Sequence, residues 1–397
     1  VLPLEGYLET GTRFLNFRDM ENATMTDTNT DRNLKLHMRQ CIQKVATGPE
    51  YSKDLSYEDA YYAMRHILSG EADPVQVAVY FIALRMKRET DEENRGTLQA
   101  LIDSSVISAA NVDEILDVSD PYDGYTRGVP ASTFVPVVLA AMGVHAVLHG
   151  LEQVGPKFGA THHKVLKAAG LNVNLTPAEA VAQLERIGWT YLDQRQFAPG
   201  LHDLIPIRQR MIKRQVLTTV ETMLGPIRGR VKTHCMGGYV HKAYPPIYAS
   251  LARQAGFDSA MFVRGVEGGV IPSLQQAGKL FYYYEKGEEQ QRDLDPQNFG
   301  LQAEVRAVPL PDDLPAAPMI GDEIATTVDS DALAAKAAEM GMAALSGEKG
   351  LMYDSLVYSA SICLAHLGRY GSIQEAADAV RAMLDSGKAL ETLRAAA

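Results

Sequence analysis

Between residues 37 and 104 apolar side chains recur with a helical period, and start and stop signals punctuate them. Ser56-Tyr57-Glu58-Asp59 offers a hydroxyl to free backbone amides with an acid three residues on. Gly70 closes that helix, Pro74 opens the next, and Thr90-Asp91-Glu92-Glu93 repeats the start signal. Leu34–Val45 reads as a short helix ahead of them, joined by the polar link Gly48–Asp54. Residues 37–107 are thus expected to form a small all-helical domain, and residues 1–36 an extension with no assigned structure.

Past Asp120 the pattern changes. Short β-rich runs at Val144–Leu148, Arg230–Thr233, Ala260–Val263, Leu280–Tyr284 and Glu304–Val308 alternate with helical segments at Thr133–Ala141, Thr161–Ala169, Pro177–Ile187 and Pro246–Gln254. Such alternation predicts α/β architecture, a mostly parallel central sheet flanked by helices, over residues 108–397. A Pro- and Asp-rich stretch, Pro309–Asp331, leads to two further helices at Ala332–Leu345 and Met352–Leu367. A last one starts at the capping signal Ser372-Ile373-Gln374-Glu375 and ends near Gly387.

Charge adds a second layer. The 397-residue chain carries a net −11, yet Leu204–Arg253 holds nine Lys/Arg and one acid, Glu221; this window is +8 and the remainder −19. An acidic protein with one basic window is placing positive potential where an anion sits. Within it, Ile205, Ile212, Val216, Val220 and Met223 share one side of a helical wheel, and Arg210, Lys213 and Arg214 fall on another. This predicts one amphipathic helix over Ile205–Leu224, stopped by Gly225-Pro226. Cys41, Cys235 and Cys363 match no disulfide or metal spacing, which fits a reducing, cytoplasmic setting. No apolar run is long enough for a membrane span, and residues 1–24 lack the pattern of a signal peptide.

Several segments, taken in order, resemble the anthranilate phosphoribosyltransferases of glycosyltransferase family 3. They are ILSGEADPVQVAVYFIALRMKRET within Asp54–Asp103, STFVPVVLAAMGVHAVLHG at Ser132–Gly150, FAPGLHD at Phe197–Asp203, MLGPI at Met223–Ile227, LDPQNFGL at Leu294–Leu301 and DSGKAL at Asp385–Leu390. The resemblance implies a helical domain, completed by helices within 199–225, beside the α/β domain. It further implies a phosphoribosyl diphosphate (PRPP) site at the hinge and a homodimer through the helical domain.

The site motifs depart from that pattern. The family's glycine-rich diphosphate loop becomes Tyr122–Gly128, YDGYTRG, which offers Arg127; Ser132 and Thr133 remain at the following helix start; and the turn at His149-Gly150 keeps its two middle residues. After Ala260–Val263 the family's histidine becomes Arg264. Val270 and Ile271 fall on its magnesium-binding acid pair, leaving Glu267 as the nearby carboxylate. Magnesium seeks oxygen ligands, and two apolar side chains supply none.

The resulting expectations are two. The first is a polyanion binder for single-stranded nucleic acid with little or no anthranilate phosphoribosyltransferase activity, using Arg208, Arg210, Lys213, Arg214, Arg228, Arg230 and Lys232. The second is a phosphoribosyl or pentosyl transferase on another acceptor, in which arginines replace the metal. In both, Arg127, Ser132, Thr133, His149, Gly150, Arg264 and Glu267 are the expected phosphate or anion site. No catalytic residue, metal ligand or cofactor is assigned, magnesium entering only with the transferase, and the expected ligand is nucleic acid or a phosphorylated small molecule. His149, His162 and His163 lack the companions of a metal site and are expected at helix ends or facing phosphate. Phe281–Tyr284, on a strand, is expected to pack in the core rather than stack bases.

Overall fold

The structure, a computed structural model, describes residues 33–317 and 328–397. Most of the expected extension, residues 1–32, and residues 318–327 of the Pro- and Asp-rich stretch lie outside the described residues. Four helices come first: α1 (Leu34–Val45), α2 (Tyr57–Leu68), α3 (Pro74–Lys87) and α4 (Asp91–Asp103). Their starts are built as the sequence reads. Asn33, Ser56, Asp73 and Thr90 each accept a first-turn amide, and Thr90 with Glu93 closes a reciprocal capping box.

A seven-stranded sheet follows in the order β4-β3-β2-β6-β7-β8-β9. Five strands are parallel: β2 (Glu114–Ser119), β3 (Ala146–Gly150), β4 (Trp189–Asp193), β6 (Lys232–Tyr239) and β7 (Ser259–Arg264). The last two, β8 (Gly278–Tyr283) and β9 (Gln290–Leu294), form an antiparallel edge. A separate parallel pair joins β1 (Ser108–Ala109) to β5 (Ile227–Arg228). The alternation of side chains between sheet faces divides two cores. Ile115, Val147, Leu192, Cys235, Ala260 and Phe262 join the core shared with the helical unit and residues 197–227. Leu116, Val118, Ala146, Leu148, Met236, Met261 and Val263 join the core covered by the helices after residue 329.

Three expectations change. Strands β2, β4 and β9 went unread, because β2 and β4 are buried along their length with Asp117, Thr190 and Asp193 inside, while β9 is a mostly polar edge. Glu304–Val308 is not a strand; its carbonyls at Arg306 and Val308 receive only single amides, from Leu274 and Val129. The predicted amphipathic helix Ile205–Leu224 is broken into Ile205–Met211, Leu217–Val220 and a 3₁₀ turn, with Ile212 in the left-handed region (φ 64°). In one straight helix Arg208 and Glu221 would lie about 20 Å apart along the axis. The break folds the segment back so that the two meet in a buried bidentate pair at 2.7 and 2.6 Å. Among the described residues no helix is long and apolar enough to cross a membrane.

Candidate anion-binding cleft

A cleft of about 790 Å³ opens at the carboxyl ends of the parallel strands, where α/β sheets place their ligands. Ser119 closes β2, Gly238 and Tyr239 close β6, and Arg264 closes β7 beneath it. Arg85 and Glu89 lean in from the end of α3, and Arg214, Thr218, Thr219 and Thr222 come from the broken segment. Seven cations line the cleft (Arg85, Arg127, Lys157, Arg214, Arg264, Lys279 and Arg306) against three acids, Glu89, Asp123 and Glu267. An open hollow with this surplus of positive charge attracts anions. Arg85, Arg127, Arg264 and Arg306 are exposed and make no ion pair or side-chain hydrogen bond among the described residues.

Two loops shape the rim. Glu267 sits at φ 56°, in the turn after β7, where Gly265 and Gly238 let the backbone of Gly269 approach too closely for a Cβ. From there its carboxylate accepts the amides of Thr126 (3.2 Å) and Arg127 (2.7 Å) and lies 3.4 Å from the Lys157 ammonium. Glu267 therefore fastens the 124–127 loop and aims Arg127 outward; it is not itself a phosphate ligand. Asp123 is buried and receives Arg214 at 2.7 Å and Lys157 at 3.4 Å.

The layer beneath the cleft differs from expectation. Ser132 is buried and donates to Asp120 at 2.9 Å, not to a ligand. The same carboxylate accepts the Tyr125 hydroxyl (2.7 Å) and the Val270 amide (2.9 Å), and meets His162 Nε2 at 2.9 Å. Burial alone would raise the Asp120 carboxyl; the imidazole of His162 and the two hydroxyls outweigh it and hold it below the usual carboxylate range. Thr133 meets His162 Nδ1 at 2.8 Å. His149 is fully buried between Asp117 (2.9 Å) and the Tyr122 hydroxyl, and Gly150, also buried, ends β3. His163 pairs with buried Asp193 at 2.8 Å. Of the three histidines expected at helix ends or facing phosphate, His162 and His163 do open a helix, His162–Ala168, while His149 lies within β3, and each of the three meets an internal carboxylate. Of the seven residues expected at the anion site, Arg127, Arg264 and Glu267 line the cleft.

The basic window is likewise divided. Arg208 is 2% exposed and committed to Glu221, so it offers nothing to a polyanion. Arg228 folds over the Phe257 ring at 4.3 Å and donates to the carbonyls of Leu224 and Ala255 at 2.9 Å. Arg230 pairs with Asp113, and Lys232 lies 2.5 Å from Glu285, both away from the cleft lining. Arg210 and Lys213 are exposed beside Ile212, and Arg214 lines the cleft. Sequence reasoning missed Arg85, Arg306, Lys157 and the tyrosines Tyr239, Tyr244 and Tyr248. Their one legible signal was the basic run at the end of α3, Arg85 to Arg88. Of the FYYY run, Tyr283 is buried and Phe281 packs edge-on against Tyr239, while Tyr284 stays partly exposed against His366.

Comparison with known proteins places this arrangement. Residues 39–105 match the helical bundle domain of the glycosyl transferase family, and residues 126–341 match its a/b domain. The chain belongs to that glycosyl transferase family. Among its relatives in the family, an anthranilate phosphoribosyltransferase of Aquifex aeolicus is 26% identical over 363 residues, 90% of this chain and 96% of the relative. One from Rhodococcus jostii is 30% identical over 255 residues, 63% of this chain and 67% of the relative. An uncharacterized Aquifex aeolicus protein is 23% identical over 339 residues, 85% and 96% of the two chains. In structure, the glycosyl transferase fold seen here is shared with anthranilate phosphoribosyltransferase from Thermus thermophilus (TM-score 0.66, 21% identity, 90% of this chain and 97% of that one). It is shared too with the Saccharomyces cerevisiae enzyme in complex with PRPP and Mg (TM-score 0.68, 16% identity, 91% and 97%).

Proposed function

We propose that this family member binds its ligand through phosphate groups held directly by arginines in the cleft, and that it has little or no anthranilate phosphoribosyltransferase activity. The observation that carries this reading is the set of four exposed arginines, Arg85, Arg127, Arg264 and Arg306, around one cleft, without an ion pair among the described residues. Guanidinium groups match phosphate oxygens in a planar, bidentate way that needs no metal between them.

The carboxylates do not fit a magnesium ion of the kind named for the yeast enzyme. Asp123 is engaged by Arg214 and Lys157, and Glu267 by two amides and Lys157. Val270 and Ile271 are buried apolar side chains. Glu89 is left as a single lining carboxylate without a cationic partner among the described residues, and a lone carboxylate makes no clamp for a metal-bridged diphosphate.

Arg210 and Lys213 favour a particular form of the ligand. They extend positive charge from Arg214 past the cleft along an exposed turn, as a single-stranded nucleic acid tracking the surface requires. Tyr244 and Tyr248, partly exposed and packed on one another, line the same cleft. A transferase acting on an unidentified acceptor uses the same arginines and is separated from this by experiment. A labelled single-stranded oligonucleotide should bind with an affinity that falls steeply with salt, and Arg210→Ala with Lys213→Ala should reduce the salt slope by about 2. An oligonucleotide that shows no binding at low salt, together with heat on PRPP titration, would favour the transferase. The homodimer expected from the resemblance is supported by the exposed apolar side chains Leu36, Val75, Val79 and Met86 on the helical unit, and light scattering of the full chain tests it.

A further inference from the structure

Away from the cleft, one cluster joins the first two helices. We propose that His37, Cys41 and Asp59 form a site for a zinc-class divalent metal ion. His37 and Cys41, four residues apart, share a face of α1, and Asp59 stands in the first turn of α2. One nitrogen, one sulfur and one oxygen from the three lie within 4.8 Å of one another. Cys41 Sγ is 3.6 Å from His37 Nε2. A tetrahedral zinc ion, with Zn–S and Zn–N bonds of about 2.3 and 2.0 Å, sets sulfur and nitrogen ligands about 3.6 Å apart. Asp59 Oδ1 is 3.8 Å from the same nitrogen and within 4.8 Å of the sulfur, so it moves inward to complete the set.

The surroundings point to the same use. Asp59 gives its other oxygen to Lys44 at 2.5 Å, which fixes the carboxylate with Oδ1 turned toward His37. His37 is 7% exposed and Cys41 1%. Tyr80 is fully buried in the same core as Cys41, and its hydroxyl has no hydrogen-bond partner among the described residues. A buried orphan hydroxyl costs about 1–3 kcal/mol. A water in the fourth position of the metal, polarised by the ion, would donate to that hydroxyl. Thiolate and carboxylate together neutralise a divalent ion, so loading leaves no uncompensated charge inside. On binding, the Cys41 thiol releases its proton to solvent, and His37 Nε2 exchanges its 3.2 Å contact with the Asp59 carbonyl for the metal. The bound ion clamps α1, which directly follows residues 1–32, onto α2.

The test is titration of the full chain with Co²⁺, then displacement by Zn²⁺. One equivalent should bind with a thiolate-to-cobalt charge-transfer band that zinc abolishes. Cys41→Ser should remove the band and weaken zinc at least about 100-fold, beyond the cost of losing an outer-sphere partner. Cys235→Ser and Cys363→Ser should leave both unchanged, and circular dichroism of the Cys41→Ser chain should report the native fold. A wild-type chain that gives no such band, or a band that survives Cys41→Ser, overturns the site.

Discussion

The rim of the cleft and the layer beneath it use polar side chains in opposite ways. On the rim, Arg85, Arg127, Arg264 and Arg306 carry charge with no partner among the described residues. A few ångströms below, Asp120 gathers Ser132, Tyr125, His162 and the Val270 amide, and Asp117 gathers His149. The Asp120 carboxylate takes the donors that an incoming phosphate would otherwise find. A hydroxyl or imidazole that answers an internal carboxylate stabilises the fold, whereas a guanidinium left unanswered at a strand end is available to a ligand. Binding in this molecule is thus assigned to the rim and structure to the floor.

Breaking the floor should give the largest effect. Asp120→Ala strands three buried donors, removes the carboxylate facing His162 and should cost about 3–5 kcal/mol in denaturant unfolding, while a loss near zero would mean the floor is not structural. Arg208→Ala should cost a similar amount, because it leaves Glu221 charged and buried. Next comes acid sensitivity at the opposite end of the sheet, where His366 has Ser259 at 2.9 Å and the stacked Tyr284 ring but no acid within ion-pair reach among the described residues. Burial, helped by His234 and Arg292, pulls His366 from 6.5 down to about 3. The unfolded chain takes that proton first as pH falls, so the stability it contributes is complete above about 6.5 and is lost toward 3, at up to about 1.4 kcal/mol per pH unit. His366→Gln should flatten that slope, and an unchanged slope would rule the residue out.

On the rim, Arg127→Ala and Arg264→Ala should leave the unfolding midpoint in place and each weaken a phosphate ligand about 10-fold to 100-fold. Smallest of all, Arg230→Ala and Lys232→Ala should change neither oligonucleotide affinity nor the unfolding midpoint, since both side chains sit in exposed pairs away from the cleft. A marked loss of affinity there would move the binding surface off the cleft.

Much of the fold could be read from the chain because local rules and packing agree in it. Capped helix starts at Ser56 and Thr90, the strands around Val147 and Phe262, and the C-terminal helices all follow period and punctuation. The broken helix after Ile205 escaped because a pair thirteen residues apart, Arg208 and Glu221, overrides the helical period, and no local signal announces such a pair. The site was legible by residue type but not by direction. Ser132 and Arg127 are equally plausible phosphate ligands on paper. Only the position of Asp120 turns one inward, and only the grip of Glu267 on the loop turns the other outward. Arg85 and Arg306 reach the cleft from segments distant in sequence, which no motif links.

Inorganic pyrophosphate, titrated calorimetrically into the wild-type chain in the presence of a chelator and again with magnesium, tests the central claim most directly. Phosphate held by the arginine rim predicts binding heat with the chelator present, an affinity that magnesium does not raise, and loss of the heat in the Arg127→Ala, Arg264→Ala double variant. Binding that appears only with magnesium, or that survives in the double variant, would contradict it.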